Sequence, residues 1–166
     1  MYAIWFLFEQ NDHDYLYKFI SQFSLQYNSP IFVPHITVYG LFDADIETIE
    51  NIISESIKNI QSFSVEKNSI SFSNDFWKTI FIDFKLNSNM SNVNKKLNKY
   101  LSKLSDYDFH PHTSLIYKIM SLEEKQRLSN SINIKNTFRI DKIAILKFSK
   151  CIDEWEIIKK FSLDQN

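Results

Sequence analysis

Apolar stretches typical of strands alternate along the chain with stretches of helical periodicity. Residues 2–8 are continuously apolar and are followed by polar residues, a pattern that predicts a buried strand. Apolar side chains then recur at spacings of three and four over residues 13–27, which predicts a helix. Asn11 and Asp12 would cap the start of this helix, and the proline within residues 28–30 would end it.

The same two patterns continue through the rest of the chain. Further strands are expected at residues 32–41, 62–73, 77–85, 112–118, 137–149 and 154–163. Further helices are expected at residues 46–60 behind a cap at residues 43–45, at residues 90–104 and near residues 121–130. Elements in this order predict an α+β fold, and because no linker divides the chain we expect one domain over residues 1–166.

One short segment occurs twice in the chain. Residues 34–38 read Pro-His-Ile-Thr-Val, and residues 111–115 read Pro-His-Thr-Ser-Leu. Each copy begins a predicted strand that is followed by a predicted helix. The repeat therefore predicts two similar halves that face each other across a cleft.

The repeated segment carries the same pair of polar side chains in each copy. Because alternate residues of a strand share a face, His35 lies beside Thr37, and His112 lies beside Ser114. Hydroxyls and imidazole N–H groups can donate to the oxygens of a phosphodiester. A neutral imidazole can also take a proton from water, and a protonated one can give a proton to the leaving sugar oxygen. Both proton transfers suit groups of pKa about 6.5, and neither requires a metal ion.

Composition and charge remove several other classes of function. The single glycine, Gly40, excludes the glycine-rich loops that hold diphosphates. A net charge of −1 gives no bulk attraction to nucleic acid or to an anionic membrane, so any phosphate must be held by a local site. The lone Cys151 excludes an intramolecular disulfide and a thiolate zinc cluster. The first apolar run is too short for a signal peptide or a membrane span, so we expect a soluble, cytoplasmic protein without a membrane partner.

Two other interpretations of the histidines stay open from the residues alone. His110 and His112 have a spacing that can ligate zinc from a strand, with His35 as a third ligand. The repeats could also be purely structural, although two of the three prolines directly precede histidines in the same context. His13 stands at the start of a predicted helix and is expected to be an ordinary surface residue.

The two motifs resemble those of the 2H phosphoesterase superfamily, whose members carry two His-x-Thr/Ser-apolar motifs. The flanking residues look most like the cyclic phosphodiesterase (CPDase-like) family within it. Four segments support that narrower resemblance, namely the opening Tyr-Ala-Ile-Trp at residues 2–5, the Phe-Val-Pro-His-Ile-Thr-Val at residues 32–38, the Phe-His-Pro-His-Thr-Ser-Leu-Ile-Tyr at residues 109–117, and residues 155–163 at the end. The resemblance therefore spans the whole chain.

The resemblance implies a bilobal α+β fold, with two pseudo-symmetric antiparallel-sheet lobes, outer helices and a central cleft. It also implies metal-independent hydrolysis of 2′,3′-cyclic nucleotides or ADP-ribose cyclic phosphate to a phosphomonoester, without a cofactor. His35 and His112 would form the acid/base pair, in roles that the near-symmetry leaves interchangeable. Thr37 and Ser114 would hold the phosphate.

Trp5 and Tyr117 would line the substrate pocket if the family pattern holds. Strict alternation puts Tyr117 on the face opposite Ser114, so its family role requires the strand to end or bulge near Ile116. Either aromatic residue could instead belong only to the core.

Several substrates remain open beside a small cyclic-phosphate nucleotide or sugar. RNA 3′ ends bearing a cyclic phosphate would need a basic groove, which lysines of the third predicted helix could supply. Cyclic oligonucleotide signals are a third candidate. A nucleotide- or phosphate-binding module without catalysis is the non-enzymatic alternative, although binding alone would not need two mirrored imidazoles. We expect the protein to be a monomer.

Overall fold

The computed structural model describes residues 1–163, which form seven strands and four α-helices in the predicted order. The strands and helices are β1 Tyr2–Phe8, α1 Gln10–Tyr27, β2 His35–Phe42, α2 Ile46–Ile57, β3 Phe63–Phe72, β4 Ile80–Phe84, α3 Ser88–Leu101, β5 His112–Ile116, α4 Leu122–Ser131, β6 Thr137–Lys147 and β7 Glu156–Ser162. The predicted α+β class is confirmed.

The strands form one antiparallel sheet that is divided into two halves by the way β3 pairs. The order along the sheet is β2-β1-β6-β3-β4-β5, with β7 beside β6. Residues 63–66 of β3 pair with β6, whereas residues 67–72 pair with β4. The two motif strands lie at opposite ends of this order and still meet, because the Thr113 hydroxyl donates to the His35 carbonyl at 2.9 Å. The sheet thus curls until the two motifs are neighbours.

Strand β1 is buried on both faces and separates the main core from the cleft. Ile4, Phe6 and Phe8 point into the main hydrophobic core. The alternate residues Ala3, Trp5 and Leu7 pack with Ala144 and Leu146 of β6 in a smaller cluster. This second cluster contributes to the cavity described below, which explains why the first strand is apolar without interruption.

The helices cover the main core with their apolar stripes, and the predicted cap of α2 and the predicted end of α1 are confirmed. Asp45 caps α2 by accepting a hydrogen bond from the Thr48 amide at 2.8 Å, and Ser121 with Glu124 forms a capping box at α4. Asn28 ends α1 in the left-handed conformation. Over residues 1–163, none of the helices is both long and apolar enough to cross a membrane.

The predicted cap of α1 is wrong. The helix begins at Gln10, and Glu9 occupies the capping position without a side-chain hydrogen bond. Asp12 is instead buried, where it accepts from the Arg139 amide at 2.6 Å and pairs with Lys135. A tertiary contact to a distant strand has replaced the local capping role, because a buried carboxylate needs partners of this kind.

Two strand ends differ from the prediction in ways that shape the site. The strand expected at residues 77–85 begins only at Ile80, because Phe76–Lys78 form a short 3₁₀ turn capped by Asp75. The strand expected at residues 112–118 ends at Ile116. Both differences place aromatic side chains, Trp77 and Tyr117, in irregular backbone beside the cleft.

Candidate active site

A cavity of about 470 Å³ is lined by residues from both motif strands. The structure brings all the predicted site residues into its lining, namely Trp5, His35, Thr37, His112, Ser114 and Tyr117. The histidine and the hydroxyl residue of each motif share a face of their strand and line the cavity, as alternation requires. Ile36 and Val38, which alternate with His35 and Thr37 along β2, are fully buried. The two halves of the sheet therefore contribute to a single site.

Each motif histidine is held by a hydrogen bond to the backbone carbonyl two residues before it. The His35 Nδ1 lies 2.6 Å from the Val33 carbonyl, and the His112 Nδ1 lies 2.7 Å from the His110 carbonyl. A proline separates each histidine from its partner carbonyl and favours the extended backbone on either side. Because a carbonyl only accepts, each Nδ1 carries a proton, and Nε2 is the basic nitrogen of the neutral ring.

Burial favours the neutral form of both imidazoles. It lowers the pKa of His35 to about 3, with a smaller decrease from the charge of His112 and an opposing increase from the Val33 carbonyl. It lowers the pKa of His112 to about 4, where the His110 carbonyl and Asp83 oppose the decrease and Lys78 adds to it. Both rings are therefore neutral at pH 7, and an anion bound beside them would raise both pKa values because it stabilises imidazolium.

The two motif hydroxyls flank the histidines within the cavity. The Ser114 hydroxyl donates to the Trp77 carbonyl at 2.7 Å, which ties the 3₁₀ turn to the second motif. The Thr37 carbonyl accepts from the Tyr107 hydroxyl at 3.1 Å, which ties the first motif to the segment before β5. The hydroxyl-bearing residues thus also connect the cavity walls.

Trp5 packs against the first motif histidine and leaves little of its own ring free to contact a substrate. The residue is only 3% exposed, and its ring lies flat on the His35 imidazole, with centroids 3.4 Å apart and planes 10° apart. One face of the indole is therefore already covered. Trp77, which is 36% exposed, also lines the cavity, as do Tyr107, Phe148 and Trp155, and none of these four was predicted as a lining residue.

Tyr117 reaches the cavity because β5 ends one residue earlier. Its ring stacks on Phe32 with centroids 3.9 Å apart, and only 3% of the residue is exposed. Burial raises the pKa of Tyr117 well above its usual value, so the phenol stays protonated at neutral pH. The sequence analysis required the strand to end or bulge near Ile116 for Tyr117 to line the pocket, and β5 does end at Ile116.

A polar cluster accompanies the second motif and has no counterpart at the first. Asp83 Oδ1 lies 2.7 Å from His110 Nε2, and Lys78 Nζ lies 3.3 Å from His110 Nδ1. The corresponding position of the first motif is Val33. Lys78 and Asp83 were not predicted, because only the pairing of β4 with β5 brings Asp83 opposite His112.

The zinc alternative finds no support in these positions. Within residues 1–163, no three or more histidine, cysteine, aspartate or glutamate side chains are grouped as metal ligands. Both ring nitrogens of His110 are already engaged, Nε2 by Asp83 and Nδ1 by Lys78. His13 is half-buried at the surface, where it contacts Asp14 and stacks on Tyr17.

Comparison with known proteins identifies the family. The family model described as cyclic phosphodiesterase-like protein matches residues 1–163. The chain belongs to this cyclic phosphodiesterase-like family. The predicted resemblance is thereby confirmed, whereas a comparison with curated protein sequences gives no match.

Solved structures share the fold of this cyclic phosphodiesterase-like chain at low sequence identity. Escherichia coli LigT complexed with 3′-AMP aligns with a TM-score of 0.66 and 10% identity, over 99% of this chain and 98% of LigT. TT0787 of Thermus thermophilus aligns with a TM-score of 0.61 and 12% identity, over 98% and 97% of the two chains. These alignments confirm the 2H phosphoesterase fold.

Proposed function

We propose that the protein is a metal-independent cyclic phosphodiesterase that opens 2′,3′-cyclic nucleotides or ADP-ribose cyclic phosphate to a phosphomonoester. One observation carries the proposal. Two motif histidines, His35 buried and His112 half-buried, make the same Nδ1–carbonyl contact and line one cavity, and each lies beside a hydroxyl residue of its own strand. A binding site for phosphate would not need this duplication, whereas acid/base catalysis needs one group to accept and one to donate a proton.

In the proposed reaction, one neutral imidazole removes a proton from water at Nε2 while the water oxygen bonds to phosphorus. The bond between phosphorus and one ribose oxygen breaks, and the other imidazole, protonated at Nε2, gives its proton to that oxygen. The product is a phosphomonoester with a free ribose hydroxyl. The exchange leaves the two imidazoles with their protonation states interchanged, so water must restore them before the next turnover.

Thr37 and Ser114 would hold the non-bridging phosphate oxygens. Ser114 has a single hydroxyl proton, which is donated to the Trp77 carbonyl, so binding a phosphate through this hydroxyl exchanges one acceptor for the other. A charged acceptor forms the stronger hydrogen bond, which favours the exchange. The backbone carbonyl of Trp77 would then lie next to the bound phosphate.

The charges around the cavity favour a small substrate over a long one. Three carboxylates line it, those of Asp75, Asp106 and Asp108, and they would repel the backbone of an oligonucleotide. The depression that contains Lys96 and Lys99 of α3 shares no lining residue with the cavity, so it does not extend the cavity as a basic groove. The RNA-end substrate therefore ranks below the mononucleotide.

A substrate panel read by phosphorus NMR tests the proposal. We expect turnover of a nucleoside 2′,3′-cyclic phosphate or of ADP-ribose cyclic phosphate, unchanged by EDTA, and less turnover of a cyclic-ended oligonucleotide and of a cyclic dinucleotide. His35→Ala and His112→Ala should each lose activity, whereas His13→Ala serves as the matched surface control and should retain it.

Three outcomes would contradict the proposal. Loss of activity in EDTA would point to metal catalysis. Near-wild-type rates in either motif variant would remove the two-histidine mechanism. Binding of the nucleotides without any product would favour the binding module.

A further inference from the structure

The second motif contains a hydrogen-bonded chain whose direction is fixed by its lysine. A lysine ammonium group only donates hydrogen bonds, so His110 Nδ1, 3.3 Å from Lys78 Nζ, must accept. The proton of the neutral His110 ring is then on Nε2, which donates to Asp83 Oδ1 at 2.7 Å. The other Asp83 oxygen accepts from Asn68 Nδ2 at 2.8 Å. Each of these groups has a partner, and the chain holds Lys78 in place.

This chain places a fixed positive charge beside the second histidine. Lys78 lines the cavity, and its Nζ lies 5.4 Å from the centre of the Phe81 ring. The His110 ring that holds it is stacked on His112, with centroids 5.4 Å apart and planes 22° apart. Lys78 is also the residue after Trp77, whose carbonyl accepts from Ser114. The position of Lys78 is therefore constrained at two points, by His110 beside His112 and by the hydrogen bond from Ser114 to the neighbouring Trp77 carbonyl.

Lys78 is the one lysine or arginine among the described residues that line the cavity. The two motif histidines are neutral at pH 7, and three aspartates add negative charge to the lining. Without Lys78, the lining would hold no permanent positive charge to offset that of a phosphodiester. An anionic substrate thus depends on this side chain more than on any bulk charge of the protein.

We propose that Lys78 is a further catalytic residue, which donates to a non-bridging phosphate oxygen, and that His110 and Asp83 are its positioning residues. The inference rests on the proposed function and adds a charged group to it. As water attacks, negative charge accumulates on the non-bridging oxygens, and a preorganised ammonium stabilises that charge more than the charge of the substrate. The role requires no metal and no group beyond those already in the cavity.

Substitution of Lys78 tests the contact with phosphate. We expect Lys78→Gln to lower kcat/KM by about 10²–10³-fold, as loss of an oxyanion donor does, and Lys78→Arg to retain most of it. Lys96→Gln, which changes an exposed lysine of α3 outside the cavity, is the matched control and should leave kcat/KM unchanged. Wild-type kcat/KM in Lys78→Gln would overturn the inference.

Substitution of His110 tests the positioning role separately. His110→Phe keeps an aromatic ring beside His112 but removes the acceptor for Lys78, so we expect kcat to fall by about tenfold while KM changes less. In a Lys78→Gln background the same substitution should cause little further loss, because the group it positions is gone. Full additivity of the two substitutions would contradict the positioning role.

Two measurements without turnover separate this inference from the proposed function. Lys78→Gln should bind inorganic phosphate about tenfold more weakly than the wild type by calorimetry, and the NMR titration of His112 should move to higher pH because a nearby cation is lost. If no substrate is hydrolysed but both changes occur, the proposed reaction fails and the anion contact stands. If phosphate affinity and the His112 titration are unchanged, the Lys78 contact is wrong even in an active enzyme.

Discussion

The two motif strands share their backbone chemistry and differ in what surrounds it. In β2 and in β5, an imidazole Nδ1 is fixed by the carbonyl two residues earlier, and a hydroxyl residue follows two residues later. The ring of His35 lies under the indole of Trp5, in an apolar setting. The ring of His112 lies against His110 in a cluster that contains Lys78 and Asp83.

Repetition has therefore kept the orientation of the two histidines but not their environment. The pKa of His35 is lowered mainly by burial, and smaller effects come from a carbonyl and from the other histidine. The pKa of His112 is lowered by burial too, but fixed charges on Lys78 and Asp83 act on it in opposite directions. The half of the sheet with His35 thus surrounds its histidine with apolar side chains, whereas the half with His112 places the positive charge of Lys78 near its histidine.

The largest effect is expected from removing both imidazoles together. Each single alanine variant of His35 and His112 should lower kcat by about 10²–10⁴-fold, because each removes one proton transfer. The double variant should be only slightly slower than the slower single variant, since the two groups act as one unit. Steady-state kinetics on the four proteins gives this cycle. Multiplicative losses would show that the two halves act independently.

Acid should destabilise the protein through both rings, over different ranges of pH. Each ring has a folded-state pKa below its unfolded value of about 6.5, so the unfolded chain binds protons first as pH falls. The free energy of unfolding should therefore be highest above pH 6.5 and fall below it by up to about 1.4 kcal/mol per pH unit for each ring. The decrease should continue to about pH 3 for His35 and to about pH 4 for His112.

Urea unfolding at a series of pH values measures this loss of stability. His35→Gln should flatten the slope below pH 6.5, because glutamine does not titrate, whereas the surface variant His13→Gln should retain the wild-type slope. An unchanged slope in His35→Gln would mean that burial does not hold this ring neutral.

A smaller effect is expected where the two ends of the sheet meet. Thr113→Val removes the hydroxyl that donates to the His35 carbonyl and leaves that buried carbonyl without this partner. The free energy of unfolding should fall by about 1–3 kcal/mol. Thr113→Ser keeps the hydroxyl and should recover part of that loss in chemical denaturation. Equal stability of the valine variant and the wild type would mean that this contact does not hold the motifs together.

The smallest effect on catalysis is expected from exchanging the two hydroxyl residues. Thr37→Ser removes one methyl group from a partly exposed side chain and should leave kcat/KM within a few-fold of the wild type. Ser114→Thr adds a methyl group at a site that is only 5% exposed, and overpacking of this kind typically costs about 1–3 kcal/mol. Kinetics and thermal unfolding of both variants would compare the halves. Equal tolerance of the two exchanges would contradict the tighter packing of the second motif.

Much of the fold followed from periodicity, because the helices and strands carry their apolar residues at the expected spacings. The stripe of Ile49 and Ile53 in α2 and the continuous run of β1 are buried as the pattern predicts. The exceptions lie where tertiary contacts override local signals. Asp12 has the sequence context of a cap, but its partners Lys135 and Arg139 are more than 120 residues away and cannot be inferred from spacing.

The histidines and hydroxyls of the site were predictable because strand alternation and repetition are local properties. Their neighbours were not, since they depend on register and on irregular backbone. Asp83 faces His112 only through the pairing of β4 with β5. Trp77 and Lys78 reach the cavity from a 3₁₀ turn where a continuous strand was expected.

The division of β3 between the two halves has a consequence for how the protein can change. One end of this strand completes the ladder of β6, and the other completes the ladder of β4. Neither motif can be excised or transplanted with its own sheet without taking from the other a strand that it needs. The two repeats thus share one strand, and we expect a variant that weakens the pairing of β3 to disturb the positions of both motif histidines.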